Sequence, residues 1–499
     1  MRLAFLSSPK LRHDTKPHQR AFAWAVSLAA IALVTGCAVG PDYARPAPPL
    51  GADLPAFKES GLWQPAAPGQ APDASALGGA WWQAYGDAQL DALVEQATQA
   101  NQTLAQAEAQ YRQAQALVQG ARASFFPTVG LGASATRGRS ISDGVSTLGN
   151  SHAWALQASW EPDLWGGVRR SVEAAGDNAA ASAADLAAAR LAVQAAVVNN
   201  YLQLRLADAQ QALYADTIAG YRKALALTQA QYRAGVVTRA DVALAQNTLA
   251  AAQAQAVDVD LTRRQIEHAL AVLLGQAPAA FTLPPAPLLA ALPPTPAGLP
   301  SELLQRRPDI AGAERRVAAA NATIGVARAA WFPNLTLNAS GGYQGAGLGP
   351  WLATPGRVWA LGAALAATLF DGGARSAQVA QARAAFDAAA ANYRQTVLAG
   401  FQEVEDNLAA LGDLAQEQVA QQEAAQAAHV AEQVLLAQYR AGTAAYTAVI
   451  TAQAQTLAAD RALLQVRSRQ FAASVALIKA VGGGWHDSQL AAAAAPAAE

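Results

Sequence analysis

The chain holds a single cysteine, Cys37, and its setting points to acylation. Cys37 follows an apolar run from Ala21 to Val34 and the small pair Thr35-Gly36. A basic stretch precedes that run: Arg2, Lys10, Arg12, Lys16 and Arg20 stand against one acid, Asp14. A charged start, a short apolar core and small residues at a cleavage point describe an export signal, since a spanning helix needs roughly 20 apolar residues. Val34-Thr35-Gly36-Cys37 has the pattern of a bacterial lipobox. Residues 1–36 are therefore expected to be a removed signal peptide, and Cys37 the lipidated first residue of the mature chain. The other reading is a buried free thiol, because cysteine is among the most buried residue types. With one cysteine, neither reading allows an intrachain disulfide. Several acyl chains on one residue would hold a protein to a bilayer where one would not. Ala38 follows the cysteine; an aspartate there would suggest retention at the inner membrane, so the outer membrane is favoured.

The other reactive side chains form no recognisable centre. His13 and His18 fall in the signal, and His152, His268, His429 and His486 make no ligand-spaced pair. Gly482-Gly483-Gly484 lacks the Lys-Ser/Thr that would complete a phosphate loop. No Ser-His-Asp set or carboxylate pair is visible, so no enzyme, cofactor or metal site is expected. The formal charge of −1 becomes −5, 30 basic against 35 acidic residues, once the first twenty residues are removed. No basic face remains that would serve nucleic acid.

What must be positioned, then, is a surface. The 499 residues suffice for two or three ordinary domains or one elongated body. They are 53% hydrophobic, much of it alanine, and only 14% charged. Alanine with Gln, Leu and Arg favours helix, and low charge suits a surface facing protein or lipid.

The chain is duplicated. Ala123-Ser124-Phe125-Phe126-Pro127 returns as Ala329-Ala330-Trp331-Phe332-Pro333, and Leu164-Trp165-Gly166-Gly167 as Phe370-Asp371-Gly372-Gly373. Gln231-Tyr232-Arg233-Ala234-Gly235 recurs unchanged as Gln438-Tyr439-Arg440-Ala441-Gly442, and Leu274-Gly275 as Val481-Gly482. Four matches in one order divide the chain as follows. An extended N-terminal segment covers 37–86, a first repeat 87–277, a Pro-rich linker 278–300, a second repeat 301–484 and a flexible tail 485–499. Each repeat reads as a helix (about 87–124 and 301–330) stopped at a Phe-Pro corner, two strands, a Gly-Gly turn and a very long helix. That helix breaks at Gly235 or Gly442, and a second one runs back to Gly275 or Gly482.

The strand segments alternate. Val129, Leu131, Ala133 and Ala135 oppose Thr128, Gly130, Gly132, Ser134 and Thr136. Trp154, Leu156, Ala158 and Trp160 oppose Gln157, Ser159 and Glu161. Leu335, Leu337, Ala339 and Tyr343 oppose polar neighbours, and Trp359, Leu361, Ala363, Leu365 and Leu369 oppose small ones. Lengths near ten with an apolar and a polar face match transmembrane β-strands, and an ordinary half-buried sheet shows the same alternation. Segments 138–153 and 345–356 read as long loops of the kind found on the outer side of membrane barrels. About eight strands are needed to close a barrel, so four transmembrane strands require an oligomer sharing one barrel. The helix from about Gly167 would be about 100 Å long. Its heptad-spaced Tyr214, Ile218, Tyr221, Leu225, Thr228 and Tyr232, and Tyr393, Val397, Phe401, Val404, Leu408 and Leu411 in the second copy, suggest side-by-side staves. A tube wall fits these staves, and a spacing or dimerising stalk is the alternative.

Cys37-Ala38-Val39-Gly40-Pro41-Asp42-Tyr43 and Trp81-Trp82 resemble the start of the mature TolC-like outer-membrane efflux lipoproteins of the NodT and OprM type. Gly298-Leu299-Pro300-Ser301-Glu302-Leu303-Leu304-Gln305-Arg306-Arg307-Pro308-Asp309-Ile310, Trp331-Phe332-Pro333 and Gly482-Gly483-Gly484-Trp485 continue the resemblance over residues 37–486. The resemblance implies a mostly α protein with a transmembrane β part. Long antiparallel helical hairpins would form a periplasmic tube, with four strands per protomer in a shared 12-stranded trimeric barrel. It implies a passive exit duct in the outer membrane, lipid-anchored and extending into the periplasm. The duct would work as a homotrimer with a periplasmic adaptor and an inner-membrane pump of the resistance-nodulation-division type. Arg233, Gly235, Asp241, Arg440 and Gly442 would mark the periplasmic aperture and adaptor contact. The second-copy turn departs from the pattern, with Ala444 and Thr451 where relatives carry acids, which puts an acidic ring in doubt. Asp241 also fits a local helix cap, Thr238-Arg239-Ala240-Asp241. A duct serving secretion, a periplasmic adaptor and a structural coiled-coil lipoprotein remain as alternatives. The last two leave the duplicated strands unexplained.

Overall fold

The computed structural model describes residues 39–47, 57–59, 79–142, 144–289, 292–293, 306–346, 356–488 and 490. The signal, Cys37, most of the linker after 293 and the tail from 491 lie outside the described residues. The elements in order are α1 (Ala88–Ala100), α2 (Gln102–Ala123), β1 (Thr128–Ser142), β2 (Val145–Trp160), α3 (Gly167–Arg233) and α4 (Arg239–Leu273). Then come α5 (Pro308–Ala329), β3 (Asn334–Gly345), β4 (Arg357–Ala366), α6 (Ala374–Arg440) and α7 (Tyr446–Ala480). The order helix, strand, strand, long helix, return helix thus occurs twice, and both long helices have 67 residues. The chain divides into two compact units.

The first unit (1–44, 117–175 and 318–386) is built on one antiparallel sheet in the order β1-β2-β3-β4, so β1 and β4 are open edges. Its register sets Leu131 opposite Leu156, Ala158 opposite Ala339, and Ala339 opposite Leu361. Directly paired residues share a face, so the four alternations add up to one apolar and one polar surface. Gly342 is required by this pairing: a Cβ there would come within 2.0 Å of the Trp154 carbonyl oxygen. The start of the chain is tied to the same unit. Val39 N–H donates to the Trp165 carbonyl (3.1 Å), and Asn321 Nδ2 to the Pro41 carbonyl (3.0 Å).

The second unit (45–116, 176–317 and 387–499) is helical. Its main core joins Trp81, Leu90, Val94, Val197, Tyr201, Leu270, Leu274, Phe471 and Val475. On α3, Tyr214, Tyr221 and Thr228, each seven residues from the next, are buried, as heptad packing requires. Tyr214 Oη donates to Gln255 Oε1 of α4 at 2.7 Å, binding the hairpin across its two arms. An 18-residue window of α3 has a mean hydropathy of 1.3, and alanines spread along the helix, among them Ala184, Ala207 and Ala224, are buried.

Four expectations need correction. Segment 138–153 is no loop: the β1–β2 ladder runs on to Ser142 opposite Val145, giving strands of 15 and 16 residues. Backbone pairing does not need an apolar face, so the ladder outlasts the alternation that revealed it. β4 ends at Ala366, and Leu369 is 95% exposed beyond it. The helix expected over 87–124 is broken at Asn101, whose Oδ1 accepts from Thr103 and Leu104 N–H while its Nδ2 donates to the Leu273 carbonyl. Tyr232, expected in the heptad seam, is 45% exposed. The second loop, 345–356, falls mostly outside the described residues.

Candidate channel wall and helical turns

The sheet offers two chemically different walls. Val129, Leu131, Leu156, Leu361 and Leu365 are all more than half exposed on the apolar face. Leaving such side chains in water forgoes about 1.5–3 kcal/mol each, so this face requires an apolar solvent. Trp154 and Tyr343, paired in register with ring centroids 5.2 Å apart, edge it with aromatics. The opposite face presents Thr128, Ser134, Gln157, Asn338, Ser340 and Gln344, with no ionisable side chain on it within the four strands; Glu161, expected on this face, falls one residue past the end of β2. An uncharged hydroxyl- and amide-bearing wall solvates polar solutes without holding them.

Each sheet-to-helix corner is closed by an aspartate. Asp163 accepts from the N–H groups of Val168 (3.0 Å) and Arg169 (2.9 Å) at the start of α3. Asp371 does the same for Gly373 and Arg375 before α6, and Arg375 Nε donates to it at 2.6 Å. The Arg375 side chain, with these backbone donors, holds the Asp371 carboxyl down at about 2. Sequence reading passed over both caps, although each aspartate stands shortly before a Gly-Gly turn, the position where free helix N–H groups need an acceptor.

At the far ends of the long helices, the two identical pentapeptides build the same turn. Gly235 and Gly442 are left-handed (φ 74° and 76°). Val236 N–H donates to the Gln231 carbonyl and Gly235 N–H to that of Tyr232; Thr443 and Gly442 repeat both bonds to Gln438 and Tyr439. This is the Schellman ending, which needs a residue without a Cβ at that φ. Arg233 and Arg440 are the last residues of α3 and α6, both exposed and neither in an ion pair among the described residues. Asp241 closes a capping box: its Oδ2 accepts from Thr238 N–H (2.8 Å) and its own N–H donates to Thr238 Oγ1 (3.3 Å). The second turn has Ala445 as cap, which makes no side-chain capping bond. Tyr439 and Tyr446 pack there at 5.1 Å with Val449, and Tyr439 Oη lies 3.1 Å from Thr228 Oγ1 of α3. Burial pushes the Tyr446 phenol up. Cys37 lies outside the described residues.

A charged cluster inside the helical unit gave no sequence signal beyond charges among leucines. Asp208 accepts from Arg205 Nη1 (2.8 Å), Arg263 Nε (2.6 Å) and Ala286 N–H (3.1 Å). Arg263 and Arg205 also donate to the Leu283 and Pro284 carbonyls, and Glu267 accepts from Leu283 N–H. The cluster straps the first stretch of the linker onto α3 and α4, which suits a proline-rich segment with few N–H groups of its own.

An exposed apolar sheet face backed by a neutral polar one, together with long paired helices, defines a membrane channel component. The sequence profile of the outer membrane efflux protein family matches residues 93–276 and 299–483, and the chain belongs to that family. It is 34% identical over 478 residues to the pyoverdine export outer membrane protein OpmQ of Pseudomonas aeruginosa, covering 93% of this chain and 98% of the relative. It is 31% identical over 469 residues to the toluene efflux pump outer membrane protein TtgC of Pseudomonas putida, covering 93% and 96%. The structure of the outer-membrane channel OprN superposes with a TM-score of 0.83 at 31% identity, covering 90% of this chain and all of that one. The protein is an outer-membrane efflux channel, mostly helical with a membrane β part, and not an enzyme.

Proposed function

We propose that three copies of this chain share one 12-stranded barrel and form the exit duct of a tripartite pump. The carrying observation is the four-stranded sheet with two open edges and an exposed apolar face. About eight strands are needed for closure, and unpaired edges are not tolerated in hydrocarbon, so copies must complete one another. The helical hairpins would surround a periplasmic passage, and solute would pass down its gradient along the polar face. A periplasmic adaptor and an inner-membrane pump of the resistance-nodulation-division type would supply the energy. Arg233, Gly235, Asp241, Arg440 and Gly442 would form the aperture and meet the adaptor. Cys37 would carry the lipid. The bond of Val39 to Trp165, five residues past the end of β2, supports this reading. The relatives' roles in pyoverdine export and toluene efflux favour small molecules as cargo over secreted protein.

The test is the native mass of the protein extracted in mild detergent from purified outer membranes. A species of three protomers is expected. A monomer, or recovery from the inner membrane alone, overturns the shared barrel.

A further inference from the structure

Charge on the sheet is confined to one end and one face. The strands contain Arg137, Arg139, His152 and Arg357 and no carboxylate at all. Arg137 and Arg139 continue the row of Val129 and Leu131, and His152 pairs with Ala135 of that row. Arg357 pairs with Tyr343, Tyr343 with Trp154, and Trp154 with Ala133 of the same row. All four therefore stand on the lipid-facing side, at or just beyond the Trp154–Tyr343 aromatic edge.

Arg137 and Arg357 also lie equally far along their own strands. Arg137 is the ninth residue after Thr128, where β1 begins, and Arg357 the ninth before Ala366, where β4 ends. Nine residues at about 3.4 Å, tilted about 40°, rise about 23 Å, close to the ~25 Å of an apolar barrel band. Because β1 and β4 are the open edges, Arg357 of one copy would face Arg137 and Arg139 of the next across a barrel seam. The opposite rim differs: there Asp163 and Asp371 are ion-paired to Arg169 and Arg375. The arginines of the outer rim are exposed and have no acidic partner among the described residues. Asp143, next in sequence after Ser142, lies outside them.

A guanidinium at headgroup depth on a lipid-facing surface meets lipid phosphate, which its planar fork binds through two parallel hydrogen bonds. We propose that Arg137, Arg139 and Arg357 form a binding site for the phosphate groups of an anionic lipid in the outer leaflet. The seam geometry rests on the shared-barrel reading; the pairing of Arg137 with Arg139 on one strand does not. Such a site would act as a lipid clasp, closing the joint between copies without a direct protein–protein ion pair.

Native mass spectrometry of the purified protein with lipopolysaccharide, and with the same glycolipid enzymatically dephosphorylated, tests this. The phosphorylated form should be retained at least tenfold better by the wild type. The Arg137→Gln/Arg139→Gln/Arg357→Gln variant should lose that preference, and an Arg233→Gln/Arg440→Gln variant should keep it. If the triple variant does not assemble, Arg139→Gln and Arg357→Gln alone should each reduce retention about threefold. Equal retention of both lipids, undiminished retention by the variants, or full displacement by millimolar inorganic phosphate overturns the site. The protomer count comes from the same spectrum, so a monomer that still selects the phosphorylated lipid would sink the shared barrel and leave the site standing.

Discussion

The turn after α3 and the turn after α6 share the pentapeptide Gln-Tyr-Arg-Ala-Gly and the same pair of closing hydrogen bonds, yet they are held by different forces. In the first, Tyr232 is 45% exposed and the return helix begins with the Thr238–Asp241 capping box. In the second, Tyr439 is 3% exposed, the cap is an alanine, and two tyrosines and Val449 fill the space against α3. The same contrast recurs nearer the repeat ends. Arg263 and Glu267 of α4 correspond, 207 residues on, to Gln470 and Ser474 of α7. The first pair belongs to an ionic cluster that straps the linker, whereas Gln470 bonds the Leu414 carbonyl and Ser474 meets Tyr85 Oη. Duplication preserved backbone geometry, which depends on a few local bonds. It did not preserve side-chain partners, because each copy meets different neighbours.

The largest effect is expected at the ionic cluster. Asp208→Ala leaves Arg205 buried without a carboxylate and Arg263 with only Glu267, 3.5 Å away, and should cost about 3–5 kcal/mol, read as a lower denaturation midpoint in detergent. Gln470→Ala removes a neutral partner from the corresponding site and should cost about 1–3 kcal/mol. Equal losses would erase the distinction between an ionic and a neutral copy. The turns come next. Tyr439→Ala should cost about 3–5 kcal/mol, as large aromatic truncations do, while Tyr232→Ala at the matching exposed position should stay within about 0.5 kcal/mol. Comparable melting shifts for the two would show that the first turn is buried by an assembly partner. Smallest is the cap: Thr238→Ala should cost about 1 kcal/mol, and Ala445→Thr should add little, because position 448 is alanine and cannot complete a box. Hydrogen exchange at the two turns would resolve a difference of that size.

Much of this protein was legible before its structure. Proline corners, glycine turns and the 206–207-residue spacing located the elements, because those residues act on the backbone within a few positions of themselves. Alternation identified the apolar strand face, because one register preserves it along a whole strand. Asp241 could be read as a cap for the same reason. Tertiary structure alone decided the rest. The ladder over 138–153 carries no apolar signature, as its hydrogen bonds are made by the backbone. The Asp208 cluster joins residues up to about eighty positions apart, and no local pattern brings them together. Arg357 comes onto the face and end of the sheet that carry Arg137 only through the four-strand register, which links it by way of Tyr343 and Trp154 to Ala133, a long-range pairing that period-two reading within one strand does not contain.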